Sequence, residues 1–99
     1  MKEYVNHPEH YNQMGRKECI VEMEDNFGAK ITAIFCLTNC YKYLYRKDAK
    51  GEPEQDKSKA VWYYNYFRTL EPKIGVSFDI GVLLDAVEKE MLKSEYQVD

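Results

Sequence analysis

Apolar residues recur along this chain at intervals of three and four residues, the spacing of one helical face. The first such segment covers 17–27, where Ile20, Met23 and Phe27 repeat and Gly28 follows at a position that favours a left-handed helix end. The second covers 30–47, contains neither Pro nor Gly, and is rich in β-branched and aromatic residues. The pattern predicts two helices that meet near Gly28.

Two more helices are predicted in the second half of the chain. Pro53 is well placed to open a helix over 54–70, which Glu71-Pro72 ends. Ser77 is the expected N-cap of a helix over 78–93, with Asp79 in its first turn. The third helix has one apolar face, and the fourth has an apolar seam that either covers the core or pairs with another subunit; the seam consists of Ile80, Leu83, Leu84, Val87 and Met91.

The sequence therefore predicts one all-α domain over 1–99, a small bundle of about four helices with no sheet of more than two short strands. Residues 1–16 are expected to form an irregular arm, 17–70 the main helical core and 71–99 the C-terminal helix. A chain of 99 residues buries only about 60–65% of its unfolded surface. We therefore expect it to form a homo-oligomer.

The second predicted helix contains most of the candidate functional residues. On a wheel of 100° per residue its apolar positions leave little face for water, so we predict that it is mostly buried; these positions are Ala33, Ile34, Leu37, Thr38, Cys40, Tyr41, Leu44 and Tyr45. Beside them Asn39, Lys42, Tyr43 and Arg46 form a polar stripe at i, i+3, i+4 and i+7. Buried cations must meet carboxylates, water or an anionic ligand.

Two interpretations of this stripe stay open. In one, Lys42 and Arg46 reach solvent and pair with Asp56 or Glu54 across the turn at 48–53. In the other, the basic stretch binds phosphate, since six cations lie between positions 42 and 59. The four further cations are Lys47, Lys50, Lys57 and Lys59, and the aromatic residues that follow, Trp62, Tyr63, Tyr64 and Tyr66, could either pack in the core or stack on a base.

Composition narrows the choice of function. A formal charge of −3 argues against a protein that coats duplex nucleic acid. No apolar run approaches the roughly 20 residues that span a bilayer, and Met1-Lys2-Glu3-Tyr4 starts no signal peptide, so we expect no membrane association and a cytoplasmic location. The three cysteines are expected to be reduced. No metal site is predicted, because neither His7 with His10 nor Cys36 with Cys40 fits a zinc pattern.

An ordered set of short motifs covers roughly residues 5–67. They are Asn6-His7-Pro8, His10-Tyr11, Glu18-Cys19-Ile20, Phe35-Cys36-Leu37 with Asn39, Lys42-Tyr43-Leu44 with Arg46, Lys50-Gly51, Asp56, Lys59-Ala60 and Trp62-Tyr63. This string resembles the small bacteriophage proteins of the SaV-like, phage nucleotide-kinase-like family. The resemblance implies phage origin, a place in an infected bacterial host, and affinity for nucleotides. It implies that the substrate is bound by His10, Tyr11, Asn39, Lys42, Tyr43, Arg46, Lys50 and Lys59, and that Asp56 is catalytic together with Lys42 and Arg46.

Three functions follow as hypotheses. The first is a nucleoside monophosphate kinase without a Walker motif, in which Lys42 and Arg46 neutralise phosphate charge and Asp56 holds Mg²⁺ or its water. The second is a non-catalytic counter-defence protein that sequesters a nucleotide signal. The third is an inhibitor that binds a host protein through its tyrosine-rich surface. The first two predict a bound nucleotide, and the third predicts none.

Overall fold

A computed structural model of the protein describes residues 18–46, 52–75 and 77–96. These ranges hold four α-helices and no strand, and a short 3₁₀ turn at Glu71–Lys73 follows the third helix. The helices are α1 (Cys19–Phe27), α2 (Ala29–Arg46), α3 (Pro53–Leu70) and α4 (Phe78–Tyr96). The predicted all-α bundle is confirmed, and each helix begins and ends close to its predicted bounds. The expected arm at 1–16 lies outside the described residues.

Helix α2 is the centre of the fold, because α1, α3 and α4 all pack against it. Helix α3 returns alongside α2, so that Arg46 at the end of α2 meets Asp56 near the start of α3. Helix α4 begins beside the start of α2, where Lys30 Nζ lies 3.6 Å from Asp79 Oδ2. Near its other end, Lys93 lies within electrostatic reach of Tyr41 on α2. Helices α2 and α4 therefore run in the same direction.

The core is built around small residues on α2. Ala33, Cys36 and Cys40 have no exposed surface, which allows the neighbouring helices to approach α2 closely. The remaining buried apolar residues come from all four helices; they are Ile20, Leu37, Leu44, Ala60, Phe67, Leu70, Ile80 and Val87. The apolar face predicted for α3 is therefore largely in the core.

The prediction that α2 leaves little face to water is wrong. Tyr45 is 69% exposed, and Ile31 and Tyr41 also lie at the surface. The neighbouring helices cover the side of α2 that carries the small residues and leave these larger side chains outside. The rings of Tyr41 and Tyr45 stack on each other, with centroids 6.2 Å apart, which limits the apolar area each leaves to water.

The apolar seam of α4 covers the core of its own chain, the first of the two alternatives. Ile80 and Val87 are buried, and Leu83, Leu84 and Met91 pack against them while partly exposed. Ser77 caps the helix as predicted, since its Oγ accepts a hydrogen bond from the Ile80 N–H at 3.4 Å. Self-association stays a prediction, and it would have to use another surface.

None of the helices within the described ranges is both long enough and apolar enough to cross a membrane.

The junction of α1 and α2 depends on Gly28. Its φ is positive, at 93°, but its ψ of 164° is extended, so the predicted left-handed helical conformation is replaced by one that is essentially confined to glycine. The Gly28 N–H donates to the Glu24 carbonyl at 2.9 Å, which ends α1. The chain can then begin α2 at the next residue.

Replacing Gly28 with Ala is expected to lower the free energy of unfolding by about 1–3 kcal/mol, because a Cβ disfavours this backbone conformation. Urea unfolding followed by circular dichroism measures the change. Gly81 provides the matched control, because it lies inside α4 and a Cβ added there would meet open space. Gly81→Ala should instead stabilise the protein by about 0.5–1 kcal/mol. Equal effects at the two positions would contradict the role given to Gly28.

Burial suppresses the chemistry of two of the three thiols. Desolvation raises the pKa of both Cys36 and Cys40 to about 12, while Cys19 is exposed. All three are free cysteines, in agreement with the expectation that they are reduced. The thiolate is the reactive form of cysteine, so the two core thiols are inert in the folded protein at neutral pH.

Alkaline pH should destabilise the fold through these thiols. The unfolded thiols lose their protons near their ordinary pKa of 9.0, whereas the folded ones hold theirs to about 12. Their contribution is fully present below pH 9 and is lost as the pH rises towards 12. The midpoints of urea unfolding at pH 8 and pH 10.5 test this. The midpoint of a Cys36→Ala, Cys40→Ala double variant should fall less between the two pH values than that of the parent protein.

The reactivity of the thiols gives a separate test. With dithiobis(nitrobenzoic acid) at pH 8, only the exposed Cys19 should react before the protein unfolds.

Candidate functional site

Three cationic side chains from two helices converge on the ring of Tyr43. Lys42 Nζ lies 4.5 Å from the ring centroid, Arg46 Cζ 5.1 Å and Lys59 Nζ 5.3 Å. Each distance is within the roughly 6 Å at which a cation is attracted to an aromatic face. We call Lys42, Tyr43, Arg46 and Lys59 the Tyr43 cluster.

The helical hairpin explains why these residues meet. Arg46 follows Tyr43 by three residues, so both lie on the same face of α2. Lys42 is adjacent in sequence to Tyr43 and reaches the ring through its flexible stem. Lys59 arrives from the facing side of α3, in its second turn. The sequence placed Lys42, Tyr43 and Arg46 on one stripe, and the return of α3 adds Lys59.

Asp56 on α3 forms an ion pair with Arg46 of the Tyr43 cluster. Arg46 Nε lies 3.4 Å from Asp56 Oδ2, and the Asp56 side chain is 3% exposed whereas that of Arg46 is 37% exposed. The position of each suits its helix, since a cation is stabilised at the end of α2 and an anion at the start of α3. The pairing expected for a structural role is therefore present, and so is the convergence of cations expected for anion binding.

Aromatic contacts fix the Tyr43 ring. It stacks nearly parallel on Tyr63 of α3, with centroids 6.0 Å apart and planes 9° apart. Tyr63 in turn meets Phe35 at 5.7 Å and Trp62 at 5.1 Å, both edge to face. The sequence leaves two roles open for Tyr63, packing in the core and stacking on a nucleotide base. Its position four residues after Lys59 was the available signal that both residues face the same helix.

The other predicted site residues either lie outside the Tyr43 cluster or are not among the described residues. Asn39 lies one helical turn before Tyr43, half buried, and its Nδ2 donates to the Phe35 carbonyl at 2.9 Å. Its amide nitrogen is therefore engaged by its own helix. His10, Tyr11 and Lys50 lie outside the described residues, as does Lys47. Lys57 is exposed on α3.

The donors near the cluster do not fit a Mg²⁺ ion held by protein side chains alone. Asp56 is the carboxylate in contact with the cluster, and Arg46 already engages one of its oxygens. Across the described ranges no three His, Cys, Asp or Glu side chains come together as a metal site would require. Mg²⁺ prefers several oxygen ligands in octahedral geometry, which one paired carboxylate does not supply.

The fold and site define a small all-α protein with a cationic cluster on an aromatic ring, built from the α2–α3 hairpin. The family described as "Protein of unknown function (DUF3310)" matches residues 5–65, a range that includes the whole cluster, and the chain belongs to this family.

One curated relative is an enzyme, the orotate phosphoribosyltransferase of Clostridium botulinum (strain Eklund 17B / Type B). It is 34% identical over 56 residues, which are 54% of this chain and 25% of the relative. The chain therefore spans about a quarter of the length of that enzyme. No solved structure matches the chain significantly.

Removing Arg46 should destabilise the fold. Arg46→Ala leaves the buried Asp56 carboxylate without its cation, which is expected to cost about 3 kcal/mol in the free energy of unfolding. Arg68→Ala is the control, because its ion pair with Glu71 is exposed and should contribute less than about 1 kcal/mol. Urea unfolding of both variants measures the difference. Equal losses would show that the Asp56 pair contributes no more than a surface pair.

Proposed function

We propose that the Tyr43 cluster binds the phosphate groups of a nucleotide or nucleotide-like small molecule, and that the protein is a bacteriophage nucleotide-binding protein. The observation that carries the proposal is the convergence of Lys42, Arg46 and Lys59 on one ring beside the Asp56 carboxylate. All three cations lie within 5.3 Å of one ring centroid, so they repel one another, and a bound anion would relieve that repulsion. Arg provides a fork for phosphate oxygens, and Lys a movable point charge.

The distribution of charge supports a local binding site. The protein as a whole carries a formal charge of −3, yet six of its cations lie between positions 42 and 59, and the Tyr43 cluster is at the end of the α2–α3 hairpin where the chain connects the two helices. An anionic ligand would be attracted to this end specifically. Tyr63 stacks on the cluster and Trp62 lies one ring further away, and both offer aromatic surfaces of the kind that support a base or sugar.

The name of the curated relative is compatible with this class of ligand, but the proposal does not rest on it. The clostridial relative is named for orotate and a phosphoribosyl group, which are components of a nucleotide. The shared part is a quarter of that enzyme, so its transfer reaction is not assigned to this chain. The resemblance to phage nucleotide-kinase-like proteins points to the same class of ligand.

Phosphoryl transfer between nucleotides is the second candidate function. Lys42 and Arg46 are suitably placed to neutralise phosphate charge, which is much of what such catalysis requires. Asp56, proposed as the catalytic carboxylate, is buried and paired with Arg46. This pairing favours binding over turnover. Sequestration of a nucleotide signal is the form of binding without turnover that fits a phage protein.

Calorimetric titration with a panel of nucleoside mono- and triphosphates tests the proposal. At least one should bind, and binding should weaken as salt increases. Arg46→Ala is expected to weaken it by about 1.5–3 kcal/mol, the usual value for hydrogen bonds to a charged group. Lys59→Ala should also weaken it, whereas Lys57→Ala, which removes an exposed cation two residues away, should have little effect.

Three outcomes separate the hypotheses. Chromatography of a mixture of nucleoside triphosphate, monophosphate and Mg²⁺ shows turnover if a diphosphate appears. Retention of an unchanged nucleotide indicates sequestration. The absence of any bound nucleotide refutes the proposal and leaves inhibition of a host protein as the remaining hypothesis.

A further inference from the structure

We infer that the group recognised by the Tyr43 cluster is a terminal phosphate, that is, a phosphate monoester, and that Asp56 is a positioning residue which orients Arg46 towards it. This inference rests on the proposed function and specifies its ligand. It separates nucleotides with a free phosphate end from cyclic nucleotides and other phosphodiesters.

The orientation of Arg46 is the first step. A guanidinium has five N–H donors in one plane, one on Nε and four on the two Nη atoms. The structure assigns the Nε position to Asp56 Oδ2, at 3.4 Å, from a carboxylate that is almost completely buried. That contact directs the Nε edge of the guanidinium towards Asp56, and within the described ranges neither Nη atom has a hydrogen-bond partner, so both can meet a ligand. Two parallel N–H donors on one edge match two oxygens of a phosphate.

The balance of charge is the second step. Three cations and one carboxylate give the Tyr43 cluster together with Asp56 a formal charge of +2. A phosphate monoester carries about −1.5 to −2 at pH 7 and presents three acceptor oxygens. A phosphodiester has a single negative charge and only two such oxygens. The monoester therefore matches both the charge of the site and the number of its cationic side chains.

The arrangement of the two lysines is the third step. Lys42 and Lys59 approach the Tyr43 ring from different helices, so their ammonium groups can contact different oxygens of one phosphate. Lys42 is exposed and Lys59 half buried, which leaves the cluster open to a ligand from solvent on the Lys42 side. The Tyr43 ring that both lysines approach is itself stacked on Tyr63.

The parent protein provides the first test. The 5′-monophosphates of adenosine, guanosine, cytidine, uridine and thymidine are titrated calorimetrically, each against its own 3′,5′-cyclic ester, which keeps the base and sugar. The open monophosphate of any nucleotide that binds should bind at least about tenfold more tightly, a difference of about 1.4 kcal/mol. Equal affinity for the two forms overturns the inference and leaves the proposed function standing. Binding of neither form overturns the inference, and the proposed function is refuted as well only if the nucleoside triphosphates also fail to bind.

Variants test the role of Asp56. Arg46→Lys keeps the charge but cannot contact Asp56 and a phosphate edge together, and Asp56→Asn removes the charge that orients Arg46. Both should reduce the preference for monophosphate over cyclic ester to less than about threefold, whereas Lys57→Ala should keep it. A purely structural role would weaken both ligands equally and preserve the ratio, which would overturn the assignment. If Asp56→Asn does not fold, Arg46→Lys and the parent protein decide the question.

Discussion

The buried carboxylate of Asp56 constrains the rest of the structure. An ionised group with so little contact with water must keep a cation beside it, and Arg46 provides that cation from the adjacent helix. The pair joins the end of α2 to the start of α3, and it adds to the apolar packing that holds the two helices side by side. That alignment brings Lys59 opposite Tyr43. The same arrangement of α2 and α3 therefore produces both the Arg46–Asp56 ion pair and the Tyr43 cluster.

Helix α2 supplies both the centre of the core and most of the Tyr43 cluster. Its small residues, Ala33, Cys36 and Cys40, allow three helices to pack closely around it. Its polar stripe lies along the side that faces α3, on the helix against which the other three pack. Ordering such a site around a ligand costs less entropy where its side chains already have partners, as Tyr43 does on Tyr63 and Arg46 does on Asp56.

Local chemistry in the sequence predicted the helices well. Gly28, Pro53 and Ser77 each act through their own backbone or side chain, so their effect can be read without knowledge of the fold. Exposure could not be read in this way. A helical wheel gives the angle of Tyr45 around α2 but not which sides its neighbours cover. The same limit applies to Tyr63, whose stacking on Tyr43 depends on the return of α3, and to Asp56, whose burial is tertiary.

The position of the single tryptophan has an optical consequence. Trp62 meets the edge of Tyr63, and Tyr63 stacks on Tyr43, so one ring separates the indole from the cationic cluster. Indole emission responds to nearby charge and to small shifts of neighbouring rings. The protein thus contains its own fluorophore beside the candidate site, and the intensity and wavelength of its emission report on that site without a label.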